Sequence, residues 1–394
     1  MAVRTQPGRR PGAITRRLRR ASPGLGLIPA GGRRSPRRRN AFVAATLSAV
    51  ALAHLAWSSP ASASPMPRIS VHGDQLYAGT HAWRAWGMNW GVNDHAPVIA
   101  YFDHPTSANL AVLRTELQAA RSMGANSMRI YLQLGQVMAT PTKPRMRTLV
   151  ALQRLLALAE SDRVYMDITG DLVWRPSRAP AWYGRLPWPA RWRVQARFWK
   201  AVARAASSSP AVLCYELTSE PVVSPTAGYY YGQVGQWWFR QSIATAQGSR
   251  ADQLAREWTS MLAAAVHSED DRPVTIGLLP NTSGPFAPAN IAGLLDMLVV
   301  HEYPNTGQAP AAIALIRSFA ATHEPVLLGE TFMLDDDLAT QGSFLSGSAP
   351  YVVGAFEFFD GRNPTTIQAH TIYDAVYQQG LEQFMSLRAL ILRG

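Results

Sequence analysis

The sequence predicts an α/β protein built as a single (β/α)8 barrel. Short apolar runs alternate with longer stretches of helical periodicity along the chain after residue 80. Eight such runs are found, and eight parallel strands are what closes a ring of this kind. No Gly-x-Gly-x-x-Gly follows the first run, which argues against an open dinucleotide-binding sheet.

Residues 1–40 carry 12 Arg and no acidic residue, residues 41–57 are apolar, and small residues follow, including Ala61-Ser62-Ala63. Charge, apolar stretch and small-residue site predict an export signal, so 1–65 reads as a disordered Arg-rich leader with a signal segment and 66–394 as the folded domain. The expected location is extracellular. Left uncleaved, residues 41–57 would attach the chain to a membrane, although the run is short for about 30 Å of hydrocarbon. Of 38 Lys+Arg, the leader takes 12, and the remaining 26 equal the 26 Asp+Glu. A neutral body does not suit nucleic acid. The one cysteine, Cys214, lies in an apolar run and reads as core, so no disulfide forms within the chain. No Cys/His cluster has metal spacing and no phosphate loop is present, so neither metal nor organic cofactor is expected. A monomer is expected.

A hairpin is predicted over 68–78 around His72-Gly73-Asp74. Strands follow over 83–90, 127–132, 164–168, 212–217, 274–278, 297–301, 326–329 and 352–358, short and apolar as strands buried on both faces should be. Helices are predicted over 107–123, 145–160, 189–207, 250–268, 309–322 and 371–388, with weaker ones over 288–295 and 335–347. In the first, Leu110, Leu113, Leu117 and Ala120 form one apolar stripe. Trp192 and Trp199 sit at core positions of the third, and Arg191, Arg193, Arg197 and Lys200 on a solvated face.

Barrels of this type place chemistry at the C-terminal ends of their strands. Those ends carry Asn89 and Trp90, Arg129, Asp167 and Thr169, Glu216 to Glu220, His301 to Tyr303, Glu330, and Glu357 to Asp360. Period-two alternation puts Glu216, Thr218 and Glu220 on one face of the fourth strand, directed at the axis. A carboxylate deep in a barrel needs a partner, and Arg129 is the cation that the pattern offers Glu216 as a structural ion pair. Glu220 and Glu330 end strands four and seven, on opposite sides of the ring, so their carboxyls can meet over the mouth. Two carboxyls about 5–5.5 Å apart are the equipment of a retaining glycosidase. Tyr303 would donate to the ionised nucleophile, and His301 would position substrate or assist the proton.

Glu216-Leu217-Thr218-Ser219-Glu220-Pro221 resembles the E-L-x-N-E-P signature of clan A glycoside hydrolases, above all family 5, the cellulase and mannanase family. Trp86 to Trp90, Met128-Arg129-Ile130, His301-Glu302-Tyr303 and Gly329-Glu330 match its pattern in order. The resemblance, which runs from about residue 68 to the C-terminus, implies Glu220 as acid/base and Glu330 as nucleophile, supported by Arg129, Ser219, His301 and Tyr303. It departs where the family has Asn and this chain Ser219, where a His is replaced by Thr169, and where a tryptophan platform becomes Phe358 or Phe359. These departures bear on substrate and catalytic strength more than on reaction class.

Aromatic faces suit the C–H faces of sugar rings, so Asn89, Trp90, Trp174, Trp237 and Phe358 are expected to line substrate subsites for a β-linked poly- or oligosaccharide. The competing expectations are a catalytically silent barrel that binds a cell-surface glycan, and a barrel with metal-assisted carboxylate chemistry.

Overall fold

The chain reverses at Gly73, whose φ of +60° suits a residue without Cβ, and this pairs β1 (Ile69–His72) with β2 (Gln75–Ala78) antiparallel. The predicted hairpin forms, and β3 (His81–Trp83) extends it to three strands. The computed structural model describes residues 65–91, 96–170, 179–221, 248–333 and 336–393. The leader, its apolar segment, Trp174 and Trp237 lie outside the described residues. Among the described residues no helix is long and apolar enough to cross a membrane.

Eight parallel strands then close a barrel: β4 (Ala85–Trp90), β5 (Ser127–Leu132), β6 (Tyr165–Gly170), β7 (Val212–Ser219), β8 (Val274–Leu278), β9 (Leu298–His301), β10 (Val326–Glu330) and β11 (Gly354–Phe359). Each pairs with its neighbours in chain order, and β11 returns to β4. The predicted first strand is cut between Trp83 and Ala85, because Trp83 belongs to the small sheet. Arg84 occupies the junction and donates to the carbonyls of Val352 at 2.6 Å and Ala349 at 3.1 Å. The small sheet lies at the N-terminal end of the barrel, away from the mouth. There the Tyr165 hydroxyl donates to the Pro67 carbonyl at 2.7 Å, and Arg68 pairs with Asp270 and Asp271 ahead of β8.

The helices form where their apolar stripes can cover the barrel. Thr106 caps Ser107–Ser122 by accepting from the Asn109 N–H at 3.1 Å, and Leu113, Leu117 and Ala120 are buried beneath it. In Trp188–Ala206 the rings of Phe198 and Trp199 are wholly buried and Trp192 nearly so, each worth on the order of 2–3 kcal/mol of apolar burial. Arg191 departs from the solvated face predicted for it. It is buried, and its guanidinium donates to the carbonyls of Tyr183 and Gly184, while Arg193, Arg197 and Lys200 are exposed. The weak helix over 288–295 is one turn, Pro288–Ile291, followed by a 3-10 turn. The other, Leu338–Ser348, is fixed by Asp337, which accepts from the Thr340 N–H at 2.8 Å. Cys214 is fully buried, as a core residue should be.

Candidate active site

Alternation along β5 turns Arg129 toward the axis, where it is wholly buried and has to spend its donors on neighbouring strands. Nε donates to the Thr169 hydroxyl on β6 at 2.9 Å. Nη1 reaches Asn89 Oδ1 on β4 at 3.0 Å, the Tyr131 hydroxyl at 2.8 Å, and Glu330 on β10. Nη2 reaches Glu216 Oε1 at 2.5 Å and Ser219 Oγ at 3.1 Å, both on β7. The ion pair expected between Arg129 and Glu216 forms, and the same guanidinium also holds Glu330. One cation therefore ties five strands together beneath the mouth.

Both mouth carboxylates follow an interruption of the strand pattern. Against β8, the register of β7 shifts between Glu216 and Ser219, so strict alternation over Glu216, Thr218 and Glu220 does not hold. Ser219 joins Glu216 on Arg129 despite its odd spacing. Glu220 then has φ of +49°, a conformation that a non-glycine residue adopts at a cost of order 1–3 kcal/mol, and its N–H donates to the Gly277 carbonyl at 2.6 Å. On β10 the register against β9 shifts between Leu328 and Glu330, which sets Glu330 opposite His301. Two glycines make room. A Cβ on Gly277 would sit 2.5 Å from Glu216 Oε1 and 2.9 Å from His301 Nε2, and one on Gly329 only 2.2 Å from Val299 Cγ1. Their signal in the sequence is a glycine inside a short apolar strand, which marks a close approach.

His301, fully buried, holds the pair together. Its Nδ1 lies 2.9 Å from Glu220 Oε1 and 3.4 Å from Glu330 Oε2. The Tyr303 hydroxyl donates to Glu330 Oε2 at 2.6 Å. The nearest oxygens of Glu220 and Glu330 and the histidine nitrogen all fall within 4.8 Å of one another. Burial alone would raise the Glu330 carboxyl. The charges of His301 and Arg129, with hydrogen bonds from Tyr303 and Arg129, outweigh that and hold it below the ordinary glutamate value. Burial would likewise discharge His301, but the Glu330 charge and the Glu220 bond keep its pKa above the usual imidazole value. Deeper in the barrel, burial and the charge of Glu216 push the Asp167 carboxyl well above the usual range.

Glu220 and Glu330 keep 13% and 11% of their side chains exposed, whereas Arg129, Glu216 and His301 expose none. The site thus presents a carboxyl held below its ordinary value, a second carboxyl across from it, and an imidazole with a raised pKa between them. It is suited to nucleophilic attack coupled to proton transfer. The same three groups are also close enough to hold a cation, which makes chelation an informative control.

The structure brings together Glu220, Glu330, Arg129, Ser219, His301, Tyr303 and Asn89. Asn89 also donates from Nδ2 to the Gly329 carbonyl at 2.9 Å, fixing the strand that bears Glu330. Phe358 stands beside Tyr303, rings nearly parallel with centroids 6.3 Å apart. Trp90 lies on the opposite face of β4 from Asn89, is 1% exposed, and donates from Nε1 to Glu116 at 2.6 Å. Trp174 and Trp237 lie outside the described residues. Tyr131 and Gly329, both at strand ends, belong to the site as well, and so does Gly277, which the strand-end search does not single out.

The barrel is similar to several solved glycoside hydrolases. The exo-β-1,4-mannosidase Op5Man5 from Opitutaceae bacterium strain TAV5 aligns with TM-score 0.57 at 14% identity over 78% of this chain, which spans 59% of the mannosidase's own length. The β-mannanase of the blue mussel Mytilus edulis aligns with TM-score 0.57 at 15% identity over 82% of this chain and 97% of the mannanase. A GH5_18 protein from Bifidobacterium longum, in complex with Manβ1-4GlcNAc, aligns with TM-score 0.56 at 13% identity over 78% of each chain. No protein-family model matches the sequence, and no curated protein matches it. The chain therefore has the (β/α)8 fold seen in family 5 of clan A.

Proposed function

We propose that the protein is a retaining β-glycosidase that cleaves a poly- or oligosaccharide, with mannose-containing β-glycans as the first substrates to try. The observation that carries this reading is the separation of the two carboxyls, whose oxygens fall within 4.8 Å. Retaining enzymes hold theirs about 5–5.5 Å apart, whereas inverting enzymes need about 6.5–9.5 Å for an intervening water. The mannose-linked names of the neighbouring structures support the choice of substrate class.

Glu330, ionised and steadied by Arg129 and Tyr303, attacks the anomeric carbon. The glycosidic C–O bond breaks as Glu220 delivers its proton to the departing oxygen. A covalent glycosyl ester on Glu330 results. Glu220, now a carboxylate, takes a proton from water, the water oxygen bonds to the anomeric carbon, and the ester bond to Glu330 breaks. His301 stays beside both carboxyls throughout, its Nδ1 2.9 Å from Glu220 and 3.4 Å from Glu330. Ser219 replaces an asparagine that would reach the sugar 2-hydroxyl, so a shorter side chain serves that position. The leader directs this activity outside the cell.

The test replaces each carboxyl by carboxamide. Glu330→Gln and Glu220→Gln should each lower kcat on aryl β-glycosides by about 10³-fold or more, with folding retained. A wild-type protein inert on every β-glycan would favour a glycan-binding barrel. Loss of activity on chelation would favour metal-assisted chemistry.

A further inference from the structure

A second cavity lies beside the mouth rather than over the barrel axis. It opens between the C-terminal ends of β4 and β11 and the start of the helix Ile372–Arg393, with a volume of about 260 Å³. Its walls are Trp90, Phe358, Tyr373 and Tyr377, with the carboxyls of Glu116 and Asp360 among them. Trp90 and Tyr377 are buried, but Tyr373 is 59% exposed and lies nearly parallel to Tyr377, centroids 6.1 Å apart. Phe358 is a wall common to both spaces, since its ring also lies parallel to that of Tyr303, whose hydroxyl holds Glu330.

The polar groups of this cavity define what it can take. Glu116 Oε2 accepts the Trp90 indole N–H at 2.6 Å, and among the described residues no hydrogen bond uses Oε1. Asp360 is committed to Arg362 at 2.5 and 2.9 Å. Among the described residues no lysine, arginine or histidine lines the cavity, although the Arg362 guanidinium that holds Asp360 also lies over the Tyr377 ring, 5.6 Å from its centroid. Such a wall accepts hydrogen bonds and stacks flat rings, and the Glu116 carboxyl, which no cation pairs among the described residues, disfavours a ligand that carries an anion. Burial raises the Glu116 carboxyl above its ordinary value, in keeping with a group held in a poorly hydrated wall.

Resting on the glycosidase reading above, we propose that this cavity is a distal sugar subsite. It binds one neutral pyranose of the chain being cut, with Glu116 accepting a sugar hydroxyl and Tyr373 covering a ring face, and it excludes uronic acids. At about 260 Å³ it lies just under the roughly 300–1,000 Å³ of ligand pockets in general, as suits a single ring.

Tyr373→Ala tests this with little risk to folding, because the ring is largely exposed, and Glu116→Met, similar in length but at most a weak acceptor, tests the acceptor. For either variant, the ratio of kcat/KM on a long neutral β-glycan to that on an aryl β-monoglycoside should fall about 10-fold, through KM. An unchanged ratio overturns the proposal. Binding of neutral and uronate oligosaccharides to the Glu330→Gln protein, followed by NMR titration, separates this proposal from the catalytic one. Binding of the neutral chain that weakens about 10-fold on adding Tyr373→Ala upholds the subsite even if wild type hydrolyses nothing. No binding, binding indifferent to Tyr373, or equal affinity for uronates overturns it.

Discussion

Arg129 and Arg272 are both completely buried and both paired with carboxylates, yet they live in different company. Arg272, just ahead of β8, meets Asp270 Oδ2 at 2.5 Å and gives its other N–H groups to the carbonyls of Ser207 at 2.7 Å and Ser209 at 2.8 Å. Those carbonyls follow the helix Trp188–Ala206, so the guanidinium ties down a helix C-terminus. The Tyr215 hydroxyl adds a donor to the same Asp270 oxygen at 2.5 Å. Arg129 touches side chains only. Around it, Glu216 Oε2, both Asp167 oxygens and His301 Nε2 accept or give no hydrogen bond among the described residues. A buried arginine that ends on backbone carbonyls holds the fold. One surrounded by groups that can change protons and partners holds a reacting charge.

Substitution at the two positions should therefore fail differently. Arg272→Ala leaves the buried Asp270 with only the half-exposed Arg68, at 3.2 Å, and the Tyr215 hydroxyl, and should cost about 3 kcal/mol in urea unfolding while kcat of the folded fraction stays unchanged. Arg129→Lys keeps the charge but not the fork. It should lower kcat about 10²-fold for a smaller loss of stability, near 1–2 kcal/mol. If Arg272→Ala lowers kcat at unchanged stability, or Arg129→Lys unfolds the protein at full kcat, the contrast is wrong.

Glu302 sharpens the comparison because it has neither kind of partner. It is 9% exposed, no cation pairs with it among the described residues, and burial pushes its carboxyl up to about 7. A carboxyl raised above its unfolded value of about 4.3 is stabilising below that pH, and the benefit disappears as pH rises through 7. Wild type should therefore lose about 1–3 kcal/mol between pH 4 and 8 from this group, allowing for its residual exposure. Glu302→Gln should flatten that segment of the stability curve. A slope identical in both proteins would contradict the assignment.

The fold was legible because buried parallel strands read as short apolar runs, and all eight runs appear in order. The site was legible in its residue types for the same reason: Glu220 and Glu330 end strands that have no other use for a charge. The approach to the axis was not, since strict alternation carries no information about the register shifts before Ser219 and Glu330 or the positive φ at Glu220. Alternation does separate Trp90 from Asn89, which accounts for the indole lining the side cavity instead of the mouth. The helices Pro97–Asp103 and Leu134–Val137 escape because so few residues complete too little of a period to register.

The most direct measurement is the configuration of the sugar first released from a β-glycoside, followed by proton NMR before mutarotation. Two carboxyls this close, with Glu330 ionised, predict that the β-anomer appears first. Initial release of the α-anomer would require a water between the carboxyls and would contradict the assignment of Glu330 as the attacking group.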